Sequence, residues 1–217
     1  MRQRYFSSKI AIFGQTYNTM KFPVYLFLLL NYYSFSQHQY TDSVQHLRDE
    51  HVAELLDPVN QILNETEISQ IRSLAYFPVD EHKKVNAVFT EERGKKFQLP
   101  TSSGATKTYL RYGFVTFTWE NESVRLNVYQ DVNLSKKAGY EDYLIIPFKD
   151  ATSGKETYGG GRYLDLRIPK STEVLIDLNL AYNPYCAYSH RYSCPIPPVE
   201  NQLTISIDAG EKTPEEH

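Results

Sequence analysis

The sequence has two cysteines, two methionines and one tryptophan in 217 residues. Disulfide-dense scaffolds and multi-cysteine zinc folds are therefore excluded. Glycine and proline number 10 and 11, far below collagen-like or low-complexity levels. No run of five basic residues occurs; phosphate backbones need clustered Lys and Arg, which argues against nucleic acid as a partner. The motifs Gly-x-x-x-x-Gly-Lys-Ser/Thr, Gly-x-Ser-x-Gly and His-Glu-x-x-His are all missing. A nucleotide P-loop, a nucleophile elbow and a helical zinc pair thus have no basis in the chain. No motif implies a cofactor, and no internal repeat at periods of roughly 20–50 residues is present.

Acidic residues are missing from one place. Residues 1–36 hold Arg2, Arg4, Lys9 and Lys21 and no acid, so all 26 Asp and Glu lie beyond them. Met20-Lys21 opens a short basic start, Phe22 to Leu30 is apolar, and the polar segment Ser34-Phe35-Ser36-Gln37 follows. That is the three-part layout of a secretory signal peptide over residues 20–36, with cleavage before Gln37. A nine-residue apolar run is too short to span a bilayer, which takes about 20 residues; an anchor or a buried core helix is the alternative. On the signal-peptide reading, residues 1–19 are an upstream extension before the true start. Residues 37–212 are one β-rich domain, 213–217 a frayed tail, and the mature protein is periplasmic or secreted with no stable membrane span.

What is abundant is tyrosine, 18 residues beside 11 phenylalanines. Helical spacing of Val44, Leu47, Val52, Leu55 and Leu56 predicts a helix over 41–56, stopped by Pro58. A second helix is expected over 66–74, with Ile68, Ile71 and Leu74 on one face. The period then changes to two. Strands are expected at 85–89, 95–99, 108–119, 124–128, 143–148, 162–168, 172–178 and 203–207. The apolar parity of 108–119 switches beside Gly113, which predicts a β-bulge. About eight short strands after two helices give a mainly β fold, an antiparallel sandwich or partly closed barrel. Pro169-Lys170-Ser171 is read as a hairpin turn pairing Leu166 with Val174, which would place Asp165 and Asp177 as diagonal neighbours on one face.

Three segments concentrate unusual residues: 150–163 with Gly159-Gly160-Gly161-Arg162, 179–201 with both cysteines, four tyrosines and four prolines, and Ala209-Gly210-Glu211-Lys212. A structureless connection as long as 179–201 inside a compact domain is functional or disordered, and its tyrosines have too much apolar area for disorder. It is read as an ordered loop over a pocket lined by Tyr158, Gly160, Arg162, Tyr163, Asn183, Tyr185 and Tyr188. Arg162 would meet an anionic group bidentately; the plain alternative for the glycines is a tight turn before a strand. Cys186 and Cys194 read as a disulfide in an exported chain; a metal site of Cys186, His190 and Cys194 is the weaker alternative, lacking a fourth ligand. Asp165, Asp177, Glu156, Glu200 and Glu211 are candidate acids and bases.

The run Glu156-Thr-Tyr-Gly-Gly-Gly-Arg-Tyr-Leu-Asp-Leu166, with Ala181-Tyr-Asn-Pro-Tyr-Cys-Ala-Tyr188, Cys194-Pro-Ile-Pro-Pro198, Glu200-Asn-Gln-Leu203 and Ala209-Gly-Glu-Lys212, resembles the bacterial and archaeal domain-of-unknown-function family numbered 1684. The resemblance covers roughly 41–212, with Tyr76-Phe77-Pro78 and Arg111-Tyr112-Gly113 in support. It implies no known activity. For the two cysteines it implies a structural, thiol or metal role beside the bridge. Three functions are carried forward: binding of a small anionic or polar ligand under the 179–201 loop, hydrolysis by a carboxylate pair in the same pocket, or an envelope interaction module without a pocket. The oligomeric state is not legible.

Overall fold

A computed structural model describes residues 21–216; the expected upstream extension, 1–19, lies outside them. Contacts divide the chain into two units, Met1–Gln39 and Tyr40–His217. The first contributes residues 21–39 of helix α1 (Lys21–Leu56). Everything below concerns the second. Among the described residues, no helix is long and apolar enough to cross a membrane.

The buried face of α1 differs in phase from the apolar pattern. Val44, Arg48 and Leu55 are buried, whereas Leu47 is half exposed. Arg48 wins an inward position because its guanidinium finds acceptors there: Nε and Nη2 donate to Asn179 O at 3.2 and 2.9 Å, and Nη1 to Phe77 O at 3.0 Å. Helix α2 (Glu65–Gln70) starts with a capping box. Asn64 Oδ1 accepts the Glu67 N–H at 2.9 Å, and the Glu67 carboxylate accepts the Asn64 N–H at 2.8 Å. It stops short of the expected Leu74, because Ile71–Ser73 leaves the helix as strand β1.

The main sheet has seven strands: β2 (Lys84–Glu91), β3 (Lys96–Pro100), β4 (Thr106–Trp119), β5 (Glu122–Asp131), β6 (Tyr143–Phe148), β7 (Arg162–Arg167) and β8 (Glu173–Asp177). The hydrogen-bonded order is β7-β6-β5-β4-β2-β8, with β3 attached to β4. Every pairing is antiparallel and the sheet curls into a half-barrel. The last strand, β9 (Glu215–Glu216), pairs with β1.

The expected hairpin of β7 with β8 does not form. Leu164 and Leu166 pair with Ile146 and Leu144 of β6, while Val174 and Ile176 pair with Ala87 and Val85 of β2. Both strands have the right inward parity, but each finds a better-matched partner elsewhere. They end as opposite edges joined by residues 168–172. That link reaches about 20 Å at most, and five interstrand spacings in a flat sheet amount to about 24 Å. The sheet therefore has to curl to bring its edges within reach.

The bulge in β4 is present. Arg111 and Gly113 face the adjacent residues Tyr129 and Val128, which leaves Tyr112 as the extra residue. Parity switches there as the alternation requires, and Tyr112 and Val115 are both buried. The expected strand at 203–207 is not one. It lies beside the irregular chain after β6, held by the Leu203 N–H to Lys149 O at 2.8 Å and the Ala151 N–H to Ile205 O at 2.9 Å. An irregular neighbour cannot sustain a ladder. The core is the sheet's inner face, with Val115, Leu126, Val128, Leu144, Ile146 and Phe148 fully buried.

A Cβ built on Gly113 would sit 2.3 Å from Thr90 O and 3.1 Å from Glu91 Cα. Both contacts are backbone and cannot swing aside. Gly113→Ala is expected to cost about 1–3 kcal/mol as an overpacking change, measured by urea unfolding. A variant as stable as the wild type would contradict this account of the bulge.

Candidate functional site

The segments singled out in the sequence do meet, but they form two structures. One is a buried polar centre and the other an open cleft.

The buried centre is organised by Arg162, the first residue of β7, whose side chain points to the core side and is 1 % exposed. Its Nη2 donates to Asp150 Oδ2 at 2.6 Å and to Ile207 O at 2.9 Å. Its Nη1 donates to the carbonyl oxygens of Ala209 and Glu211. Asp150 in turn accepts the Thr152 N–H at 2.7 Å. Every one of these acceptors is internal, so Arg162 has no charge to offer a ligand in a pocket. Expectation and structure part here: the guanidinium desolvated by the core side of β7 is stable only if the protein itself supplies the counter-charge.

The glycines before Arg162 form a tight turn, closed by the Gly161 N–H to Tyr158 O at 2.9 Å. At Gly161, φ is +94° and a Cβ would lie 2.6 Å from Phe148 O and 2.7 Å from Pro197. The Tyr158 ring folds over Gly160, and its hydroxyl reaches Cys186 O at 3.4 Å. This turn therefore packs directly on the 179–201 segment.

Glu211 lies in the same buried region and is fully enclosed. It accepts the Asn183 N–H at 2.8 Å and the Tyr188 hydroxyl. Asn183 Nδ2 donates to Lys212 O at 2.7 Å. Burial pushes the Glu211 carboxyl up to about 7, against the pull of these donors and Arg162. Asn183 and Tyr188, read as pocket residues, are thus spent on holding the Ala209–Lys212 turn.

The cleft has a volume of about 760 Å³ and is bounded by β4 to β8, helix α1 and the 179–201 loop. Tyr109, Tyr140, Tyr143, Tyr163, Tyr182 and Tyr185 line it, together with Asp165, Asp177, His51 and Arg48. Of the expected ligand residues, Tyr163 and Tyr185 are here. Tyr163 donates to Pro195 O and tilts against Tyr182 with ring centroids 6.0 Å apart. Tyr185 packs on Tyr192 at 5.1 Å.

Asp165 projects from β7 on the face opposite the core. Its Oδ1 accepts two phenols, Tyr143 at 2.7 Å from β6 and Tyr182 at 2.6 Å from the loop. Its Oδ2 is uncommitted among the described residues. Burial and the neighbouring carboxylate hold both phenols well above the ordinary tyrosine range, so they stay protonated donors. Asp177 lines the same cleft although the hairpin that was to place it there is absent; the curl of the sheet does so instead. It is not free for chemistry. Oδ1 accepts from Asn179 N and Nδ2 at 3.0 and 2.9 Å, and Oδ2 from Tyr40 at 2.8 Å. Glu156 and Glu200 are exposed and outside the cleft; Glu200 borders a separate depression with Arg111, Arg125 and Asn127.

Sequence reasoning missed His51 and Arg48. They stand three residues apart on α1, in the phase of the buried positions Val44 and Leu55, and a polar pair on a buried stripe was the available signal. The His51 ring lies 5.4 Å from Tyr182, and its Nε2 is buried with no partner among the described residues. Burial lowers its pKa, so the imidazole is neutral at neutral pH.

Cys186 and Cys194 are apposed free thiols rather than the expected bridge. The Cys186 N–H donates to Cys194 Sγ at 3.4 Å. His190 is exposed, and no cluster of three metal-ligating side chains exists among the described residues.

Glu211 makes stability depend on pH in a defined direction. Its folded pKa lies above the unfolded value, so the native state binds the extra proton and is most favoured below about 4.5. That contribution is lost as pH rises through about 7, on the order of 3 kcal/mol in all. Glu211→Gln is expected to flatten the pH dependence of urea stability between pH 5 and 8 (about three units). An unchanged slope in the variant would contradict the assignment.

No curated protein matches the chain. A solved structure does: the solution NMR structure of an uncharacterized protein from Haloarcula marismortui, 32% identical, covers 82% of this chain and 96% of its own, with a TM-score of 0.62. The family model described as "Protein of unknown function (DUF1684)" matches residues 69–212, which span β1 to β8, the cleft loop and the buried Arg162 centre. With that match and the shared fold, this chain belongs to the DUF1684 family.

Proposed function

We propose that this domain binds a small polar ligand in the tyrosine-lined cleft, anchored by Asp165. The observation that carries the reading is the state of that carboxylate. One oxygen is clamped by two phenols from different elements and the other is left for a donor. A fixed acceptor among aromatic walls is the usual composition of a small-molecule site: apolar area for affinity and a few placed polar groups for orientation. With Arg162 consumed internally, the acids lining the cleft (Glu54, Asp131, Asp165 and Asp177) outnumber its cations (Arg48, Lys107 and Arg167) by one, and the favoured ligand carries N–H or O–H donors for the open Asp165 oxygen. The tyrosine faces already accept cations within the protein, with Arg48 4.6 Å from the Tyr76 ring centroid and Arg167 5.6 Å from that of Tyr143.

A second reading, hydrolysis, is favoured by one observation. The neutral imidazole of His51, whose Nε2 has no hydrogen-bond partner among the described residues, borders the same cleft as Asp165, so a base and an acceptor line one space. The expected Asp165–Asp177 pair does not support it, since Asp177 is fully hydrogen-bonded.

Export is part of the proposal. The basic start, apolar run and polar segment of residues 20–37 support it, and the compact unit beginning at Tyr40 opens just beyond the expected cleavage point.

A thermal-shift screen of amines, amino acids, sugars and nucleosides, followed by calorimetry of the hits, tests the binding reading. Asp165→Asn and Tyr182→Phe are expected to weaken binding about tenfold or more, near 1.4 kcal/mol; Asp165 is exposed, so its variant is expected to keep the fold. Hits that bind both variants unchanged would contradict it. Turnover of an ester or glycoside that His51→Gln abolishes would favour hydrolysis instead. N-terminal sequencing of protein recovered from an expressing bacterium is expected to begin at Gln37; an intact Met20 terminus in the cytoplasmic fraction would contradict export.

A further inference from the structure

The two thiols of the loop form a site apart from the Asp165 anchor. Cys186 opens onto a separate cleft of about 220 Å³, bordered by Glu67, Tyr188, Ser189 and His190. Cys194 borders the tyrosine cleft. The pair thus stands in the wall between the two spaces, and both residues are partly exposed.

A structural bridge would pin the loop, but the loop is already pinned. Arg191 Nη2 donates to Glu67 at 2.8 Å and Tyr192 to Ile62 O at 2.8 Å. On the other side, the Ser102 N–H donates to Cys194 O at 2.9 Å, and the Ile196 N–H to Pro100 O at 2.9 Å. These ties fix residues 191–196, and the Tyr158 hydroxyl on Cys186 O and the Ser189 hydroxyl on Glu67 hold the other end, so the S–S bond is free to form and break in the folded protein.

The two sulfurs are not equivalent. Cys186 Sγ lies 4.0 Å from the Tyr158 hydroxyl and borders the smaller cleft, whereas Cys194 Sγ is tied by the Cys186 N–H at 3.4 Å. Its polar neighbours, the Cys194 thiol first, favour the Cys186 thiolate and lower its pKa below the usual thiol range. The adjacent Cys186 sulfur, and burial after it, raise the Cys194 thiol above its usual range. One thiolate beside one thiol is the arrangement in which the first is attacked and the second resolves.

We propose that Cys186 and Cys194 form a redox-active dithiol that is oxidised by small hydroperoxides. The Cys186 thiolate attacks the peroxide, the O–O bond breaks, an S–O bond forms, and hydroxide leaves as the sulfur loses two electrons. Cys194 sulfur then attacks the Cys186 sulfenic acid. The S–S bond forms, the S–O bond breaks, and the departing hydroxide takes the Cys194 thiol proton as water. With the proton first lost from Cys186, the total for hydrogen peroxide is two waters for one disulfide made; an organic hydroperoxide gives one alcohol and one water. A partly buried thiol at a narrow cleft admits a small oxidant and excludes a protein disulfide.

The test uses the full chain, reduced under native conditions and then exposed to hydrogen peroxide. Wild type is expected to lose two hydrogens by intact mass, with peptide mapping locating a Cys186–Cys194 bond that native dithiothreitol reopens. Cys194→Ser is expected to stop at a dimedone-trapped sulfenic acid on Cys186, and Cys186→Ser to leave Cys194 unreacted. In untreated wild type, iodoacetamide at pH 7 is expected to modify Cys186 at least tenfold faster than Cys194. This comparison does not depend on either variant folding. Equal alkylation rates, an unchanged mass after peroxide, or a native bridge that opens only on denaturation would each overturn the proposal. None of these outcomes bears on Asp165, so the ligand reading stands or falls separately.

Discussion

The arrangement depends on one buried ion pair, Arg162 with Asp150, whose side chains are 1 % and 0 % exposed. A guanidinium inside a β core is costly unless every donor is directed at an acceptor. Here the acceptors of Nη1 and Nη2 come from two separated stretches, Asp150 in the chain after β6 and the 207–211 turn, while Nε has no partner among the described residues. Their convergence brings the C-terminal segments together where the sheet cannot, since neither 149–151 nor 203–207 belongs to a regular ladder. The glycine turn next to Arg162 allows the close approach. At Gly161 a side chain would collide with the Phe148 carbonyl and Pro197.

With its strongest cation buried, the molecule presents a different chemistry outside. The 179–201 loop is anchored from within by Asn183, Glu211 and Tyr188, and from the side by Arg191 and Tyr192. Its outward rings, Tyr182 and Tyr185, then complete a cleft whose other wall is the outer face of β6 and β7. Period-two alternation does the sorting: Leu144 and Ile146 go to the core, Tyr143 and Ile145 to the other face, Arg162 and Leu164 inward, Tyr163 and Asp165 outward. Asp165 thereby meets Tyr143 across the strand pair and Tyr182 from the loop, a fixed acceptor built from three elements. The thiol pair lies in the same loop, where redox state and cleft shape share a wall.

Much of this was legible. The positions of the seven main-sheet strands, the bulge beside Gly113 and the meeting of the glycine turn with the cysteine loop all follow from periodicity, composition and the turn residues. Strand partnership was not, because inward parity is the same for β8 against β7 or against β2; only the length of the 168–172 link and the curl distinguish them. Arg162 was misassigned because a cation beside glycines looks alike in a pocket and in a core until its acceptors, Asp150 12 residues before it and carbonyls 45 to 49 residues onward, are placed. His51 and Arg48 were passed over because helical periodicity rewards apolar residues, so a polar residue on the buried stripe reads as noise.

The claim that Arg162 serves the interior is tested most directly by a double-mutant cycle on urea stability with Arg162→Met, Asp150→Leu and the pair together. Each single change strands a buried charge and is predicted to cost about 3–5 kcal/mol, while the double variant recovers a large part, for a coupling above about 2 kcal/mol. Additive losses, or an Arg162→Met protein as stable as the wild type, would show that the guanidinium is not committed to Asp150 and would contradict the account.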